Sequence, residues 1–201
     1  DLLYVPPGLA HYGVAEDDCL TYSFGFRMPN LADMTERLSE QLANNPVIKK
    51  PLLDHSRTQA EAVGEINATE FSYFKKQLLD YLQDAPEFDA AIMAYMSESK
   101  YPDSLTEPDE ITADDLREIL DTGFELLTEP ASKLLYQKHG ESIEFWANGE
   151  AVCVSKAFEK TLQQIADGER FAFDEQFNQP EILEDAAHLL NNSVLMLLPP
   201  N

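Results

Sequence analysis

The chain has 201 residues, enough for one or two domains, and its 44% hydrophobic and 10% aromatic content can build a core, which excludes a disordered chain. Thirty-seven acidic residues face 14 basic ones, and the resulting charge of −23 repels a phosphate backbone and attracts basic proteins or peptides. Apolar runs such as Val194–Leu198 fall far short of the ~20 residues that a spanning helix needs, and two isolated cysteines, Cys19 and Cys153, fit a reducing compartment such as the cytoplasm.

Residues 1–28 read as β-structure. Asp1–Val5 is a first apolar strand, opening without an initiator Met, which points to a longer parent protein. In Cys19–Arg27, Leu20, Tyr22, Phe24 and Phe26 alternate with Cys19, Thr21, Ser23, Gly25 and Arg27, the period of a strand. Between the two runs lies Pro6-Pro7-Gly8-Leu9-Ala10-His11. Proline fixes φ and glycine permits positive φ, so the chain turns sharply and delivers His11 just past the turn. Neutral imidazole is a good ligand for Fe(II) or another first-row metal. Taken alone, a histidine after a turn is more often a surface or packing residue.

Helices follow. Asn30 can cap one, with Asp33 at its third position and Leu31, Met34, Leu38 and Leu42 at helical spacing. A short helix is expected near Gln59–Val63. Asn67 and Glu70 form a second capping pair ahead of the stripe Phe71, Phe74, Leu78 and Leu82. Pro86 starts a third helix, with Phe88, Ile92, Tyr95 and Met96 on one face. Such wide apolar faces are covered either in a local bundle or by a partner chain. The polar, proline-bearing stretch 99–111 reads as a domain boundary.

Beyond it, Thr112 caps a helix bearing Leu116, Ile119 and Leu120, stopped by Gly123. Ser132–Lys138 is strand-like. Ile143–Val154 reads as a hairpin around Asn148-Gly149, both of which accept positive φ. Alternation sends Phe145 and Trp146 to opposite faces, so one of them is expected in the core. A helix from Ser155 turns Phe158, Leu162 and Ile165 inward and ends at Gly168; another spans about Pro180 to Leu190, and Ser193–Leu198 is a last strand. Helix, hairpin and helices in this order suggest a winged-helix-like α+β module. Residues 109–201 carry 19 acidic and 6 basic residues, which argues against reading DNA.

Asp1–His11 resembles the second conserved motif of cupins, lacking only the glycine that usually precedes it. The run DLLYVPPGLAHYGVA with LTYSFGFRMPN resembles the cupin-like jumonji-C ribosomal oxygenases, in particular the bacterial ribosomal-protein arginine hydroxylases. The resemblance is specific over residues 1–30 and consistent in organisation beyond. It implies an α+β fold in three parts: the terminal strands of a cupin or jelly-roll barrel over 1–29, a helical dimerisation region over 30–106, and a winged-helix-like domain over 107–201. It further implies an Fe(II)- and 2-oxoglutarate-dependent dioxygenase, in which two histidines and a carboxylate hold iron and leave positions for 2-oxoglutarate and O₂. The substrate implied is an arginine β-carbon of a basic ribosomal protein.

In that family a His-x-Asp pair and a later histidine bind the metal, and His11 matches the later one. His-x-Asp occurs nowhere in this chain; His139-Gly140-Glu141 has related spacing but follows His11 and reads as a turn. The other two ligands are therefore expected upstream of residue 1, and the chain alone is expected to be inactive. Ser23 and Arg27 share one face of the second strand and are the candidate cofactor-binding residues, with Arg27 placed either to pair a carboxylate or to tie the barrel to Asp33. Without their partner strands, residues 1–30 are expected to rearrange or to pair between chains. Two rival readings are a non-catalytic dimerising module that binds a basic protein, and a winged-helix regulator of transcription.

Overall fold

The computed structural model describes residues 2–6, 8–22, 28–43, 46, 48–52, 64–105, 109–172 and 179–200. Three helices come first: α1 (Leu31–Leu42), α2 (Ala68–Asp84) and α3 (Pro86–Ser97). Their starts are set locally. The Asn30 side chain accepts the Asp33 N–H, while Asn67 and Glu70 close a reciprocal capping box, so helix donors that lack an internal partner are satisfied. The short helix expected near Gln59–Val63 lies outside the described residues.

α1 packs along α3. Leu38, Leu42 and Ala91 form a small core, with Tyr81, Leu82 and Phe88 against it. Tyr95 Oη donates to Asp33 Oδ2 at 3.0 Å and Arg37 pairs with Glu98 at 2.6 Å, so polar ties flank the apolar contact. The fully buried residues of α3 are Ala91, Ala94 and Ser97, whereas Phe88, Ile92, Tyr95 and Met96 are half-buried. The expected large-residue face is thus not the one packed most tightly. Small side chains win there because they admit another backbone: Gly149 N–H donates to Ser97 Oγ at 3.2 Å.

After a short 3₁₀ turn at Pro102–Ser104 comes the second part, in the order α4 (Ala113–Asp121), β1 (Glu125–Thr128), β2 (Leu134–His139), β3 (Ser142–Ala147), β4 (Glu150–Val152), α5 (Glu159–Ala166), β5 (Phe171–Ala172), α6 (Pro180–Asn191) and β6 (Leu195–Leu198). Two antiparallel sheets form, ordered β5-β1-β6 and β2-β3-β4. Between them Leu116, Leu120, Leu126, Phe145, Phe158 and Leu162 make a continuous core with the inward face of α6. Asn148 (φ +52) and Gly149 (φ +90) form the expected two-residue hairpin turn, with Ala147 opposite Glu150.

Three details depart from the sequence reading. β1 and β5 were not anticipated. α5 begins at Glu159 rather than Ser155: the Ser155 hydroxyl caps nothing, Phe158 N–H closes a single turn on Ser155 O at 3.0 Å, and the helix starts after that turn. Phe145 and Trp146 are both buried, at 1% and 7% exposure. They do point to opposite faces, but α3 packs on β3 and β4 and so gives the hairpin a second covered face.

The strands expected at Asp1–Val5 and Cys19–Arg27 are not seen in the described parts of those runs. Among the described residues, 2–6 and 19–22 carry no strand and are largely exposed. A strand persists only where a neighbour accepts its backbone ladder, and no described segment pairs with either. The described part of the segment thus has no strand partner within the chain.

Candidate functional site

The turn ahead of His11 is present. Gly8 lies at φ +81 and Leu9 N–H reaches Pro6 O at 3.4 Å, which closes the chain reversal. His11 follows, exposed, with Nδ1 3.3 Å from Leu9 O. The contact engages Nδ1 and leaves Nε2 without a protein partner among the described residues. A main-chain carbonyl on one ring nitrogen is how ligand histidines are commonly oriented toward a metal.

One imidazole does not make a site. Among the described residues, no three His, Cys, Asp or Glu side chains gather closely enough to hold a metal ion. The described donors fit one corner of a metal centre and do not complete it. Ser23 and Arg27 lie outside the described residues. His139-Gly140-Glu141 is the β2–β3 turn, with Gly140 at φ +66, and His139 Nε2 stands 3.4 Å from Glu144. His188 is on the exposed side of α6, against the Asn192 amide at 3.4 Å.

Elsewhere the shifted groups have structural causes. The Thr112 hydroxyl donates to Asp115 Oδ2 at 2.6 Å, and that bond, with a second from the Thr112 N–H, holds the Asp115 carboxyl below its ordinary range. Tyr136 Oη donates to Asp167 Oδ1 at 3.0 Å, and the carboxylate pushes the phenol up. Both serve caps and packing.

Among the described residues two clefts stand out. One, of about 340 Å³, lies between the end of α3 and residues 130–133, with Tyr95, Tyr101 and Pro130 along it and Lys100 and Lys133 at its edge. Pro29 also lines it, so the stretch that follows the histidine-bearing segment ends beside this cleft. The other, of about 310 Å³, lies at the end of α6 and contains Glu129 and Asp109. Sequence reasoning marked neither acid. Glu129 follows a four-residue strand that has no readable alternation, and its burial depends on the distant turn after α6.

Comparison with known proteins agrees with this organisation. Residues 1–34 match the family model described as JmjC domain, and residues 80–196 match the one described as ROXA-like winged helix. A Haemophilus influenzae protein named probable ribosomal oxygenase is 31% identical over 211 residues, covering 96% of this chain and 50% of its own length. The Escherichia coli ribosomal protein uL16 3-hydroxylase is 23% identical over 117 residues, covering 55% of this chain and 31% of its own. The chain thus spans half or less of the curated relatives it matches. Among solved structures, the X-ray structure of E. coli YcfD superposes with a TM-score of 0.73 at 16% identity, over 86% of this chain and 46% of that one. A structure of E. coli YcfD, a ribosomal oxygenase, in complex with cobalt and 2-oxoglutarate superposes at 0.67, also at 16% identity, over 86% of this chain and 47% of that one. At that identity the likeness shows the fold, and the fold is shared across both the helical and the hairpin-bearing parts. With more than half of its 201 residues matched by the winged-helix model, the chain belongs to the ROXA-like winged-helix family.

Proposed function

We propose that this chain is the C-terminal part of an Fe(II)- and 2-oxoglutarate-dependent ribosomal-protein hydroxylase, with His11 as one metal ligand. The observation that carries the reading is a coincidence of place. The JmjC match over residues 1–34 contains the Pro6–His11 turn, and that turn presents an imidazole whose Nε2 is free. The names of the Haemophilus and Escherichia relatives support ribosomal oxygenation. Iron with 2-oxoglutarate supplies the oxidising power for hydroxylating a side-chain carbon. The part of His11 is to hold one corner of that centre, with its ring oriented by the Leu9 carbonyl. The remaining ligands belong to sequence outside residues 1–201, Ser23 and Arg27 to the cofactor face, and the substrate is an arginine of a basic ribosomal protein. The charge of −23 suits that substrate, and the two free cysteines suit the cytoplasm.

The three-part division at 29/30 and 106/107 belongs to this proposal, with α1–α3 pairing two copies. Phe71 and Leu78, seven residues apart on α2, are 64% and 60% exposed, an apolar stripe that a second copy would cover.

The test is His11→Ala in the full-length protein, with product followed by the mass of an arginine-containing ribosomal-protein fragment. Loss of the added oxygen, with substrate binding retained, is the expected outcome; undiminished hydroxylation would remove His11 from the metal. A second reading is favoured by the exposed apolar residues of α2 together with the charge of −23. In it the chain is a dimerising module that binds a basic protein and has no chemistry of its own. Iron-independent binding to that protein, with full activity in the parent lacking residues 1–201, would favour it.

A further inference from the structure

The cleft at the end of α6 has apolar walls and an acidic end. Ile111, Leu190, Leu195 and Leu197 line it, together with Asp109 and Glu129, and its volume is about 310 Å³. Glu129 is only 8% exposed. Its backbone is fully engaged, the N–H donating to Val194 O at 3.0 Å and the carbonyl accepting from Ser132 N–H at 2.8 Å, so its position is fixed from both sides. Yet among the described residues the carboxylate has neither a hydrogen bond nor an ion pair. The side chain is thus held low in the cleft by its backbone, while its oxygens keep contact with solvent and are open to a partner that enters from outside. The wall opposite is also built rather than loose. Asn191 clamps Ile111 through both main-chain groups, each at 2.9 Å, and so fixes the linker beside the cleft.

The lining decides the ligand class. A hydrated divalent ion wants several oxygens and keeps its waters, which apolar walls do not serve. An anion would meet two carboxylates and the field of a chain charged −23. A cationic tip on a methylene stem fits both surfaces, the stem along the leucines and the tip on Glu129. We propose that this cleft takes one arginine or lysine side chain of a basic protein, anchoring it to the winged-helix part at a point separate from the His11 segment. The anchor needs no metal, so it stands or falls apart from the oxygenase reading.

The experiment uses the full chain, labelled for NMR and titrated without metal. The probe is a short capped peptide bearing one central arginine among neutral residues; its citrulline counterpart and spermidine are the comparison arms. The arginine peptide is expected to shift the amides of Ile111, Glu129 and Leu195, and citrulline to leave them in place. Glu129→Gln, which keeps the side-chain volume, is expected to weaken binding about tenfold, and exposed Glu141→Gln to change it by less than about twofold. Asp109→Asn, on an exposed residue, gives a second reading if the Glu129 variant fails to fold, and is expected to weaken binding severalfold. Equal weakening by Glu129→Gln and Glu141→Gln would mean diffuse attraction and overturn the site. Shifts with spermidine but not with the peptide would overturn a protein side chain as the occupant.

Discussion

Asn191→Ala tests whether the linker and α6 are held together as described. Asn191 Oδ1 accepts the Ile111 N–H and Asn191 Nδ2 donates to the Ile111 carbonyl, both at 2.9 Å and across 80 residues of sequence. Ile111 directly precedes Thr112, the cap of α4. Truncation therefore frees an amide and a carbonyl at once, at a half-buried position that water reaches only in part. Each such bond contributes about 1 kcal/mol net, and more where the group left behind stays dry, so the expected loss is about 2–3 kcal/mol. For a chain of this length that corresponds to a Tm lower by roughly 4–12 °C. Urea denaturation followed at 222 nm measures it, with the fluorescence of Trp146, the sole tryptophan, as a second probe. Amide exchange at Ile111 and Leu116 should rise more than exchange at Phe145, because the start of α4 loosens first. Asn191→Asp separates the two bonds: it keeps the acceptor for the Ile111 N–H but sets a carboxylate against the Ile111 carbonyl, so at neutral pH it should cost at least as much as alanine. A loss below about 0.5 kcal/mol for both variants, within the range of an ordinary surface change, would refute the clamp.

Two other predictions concern a cap and a surface. Asp115 is held below its ordinary range, so its contribution is present above the unfolded carboxylate pKa and is lost as pH falls through the lower folded value; Thr112→Ala should raise the Asp115 titration seen by NMR, and an unmoved midpoint would refute the assignment. Phe71→Asp with Leu78→Asp should turn a dimer into a monomer in sedimentation velocity while leaving the urea midpoint of a dilute sample unchanged, since both side chains are mostly exposed within one chain; a wild-type chain that is monomeric at high concentration would refute the interface.

What could be read in advance divides by the reach of the interaction. Asn30 with Asp33, Asn67 with Glu70 and Thr112 with Asp115 each start a helix through contacts three residues apart, and Asn148-Gly149 makes its turn from its own φ preferences. The Pro6–His11 turn is legible for the same reason. Strands are different, because a strand is stable only through its neighbour. β1 pairs Glu125 with Leu198 and Leu126 with Phe171, partners that lie 73 and 45 residues away by their own numbers, and four residues hold too little alternation to announce them. The same dependence works in reverse over residues 19–22, where the right alternation yields no strand because no described segment pairs with it. It also explains Trp146: the hairpin pattern puts one aromatic on each face, and only the arrival of α3 buries the second. Glu129 is the functional case. Nothing around it in sequence marks it, since its burial and its cleft come from Val194, Leu195 and the end of α6, more than 60 residues on. A carboxylate placed by such distant partners, and without one of its own among the described residues, has its place defined by the fold and not by a motif.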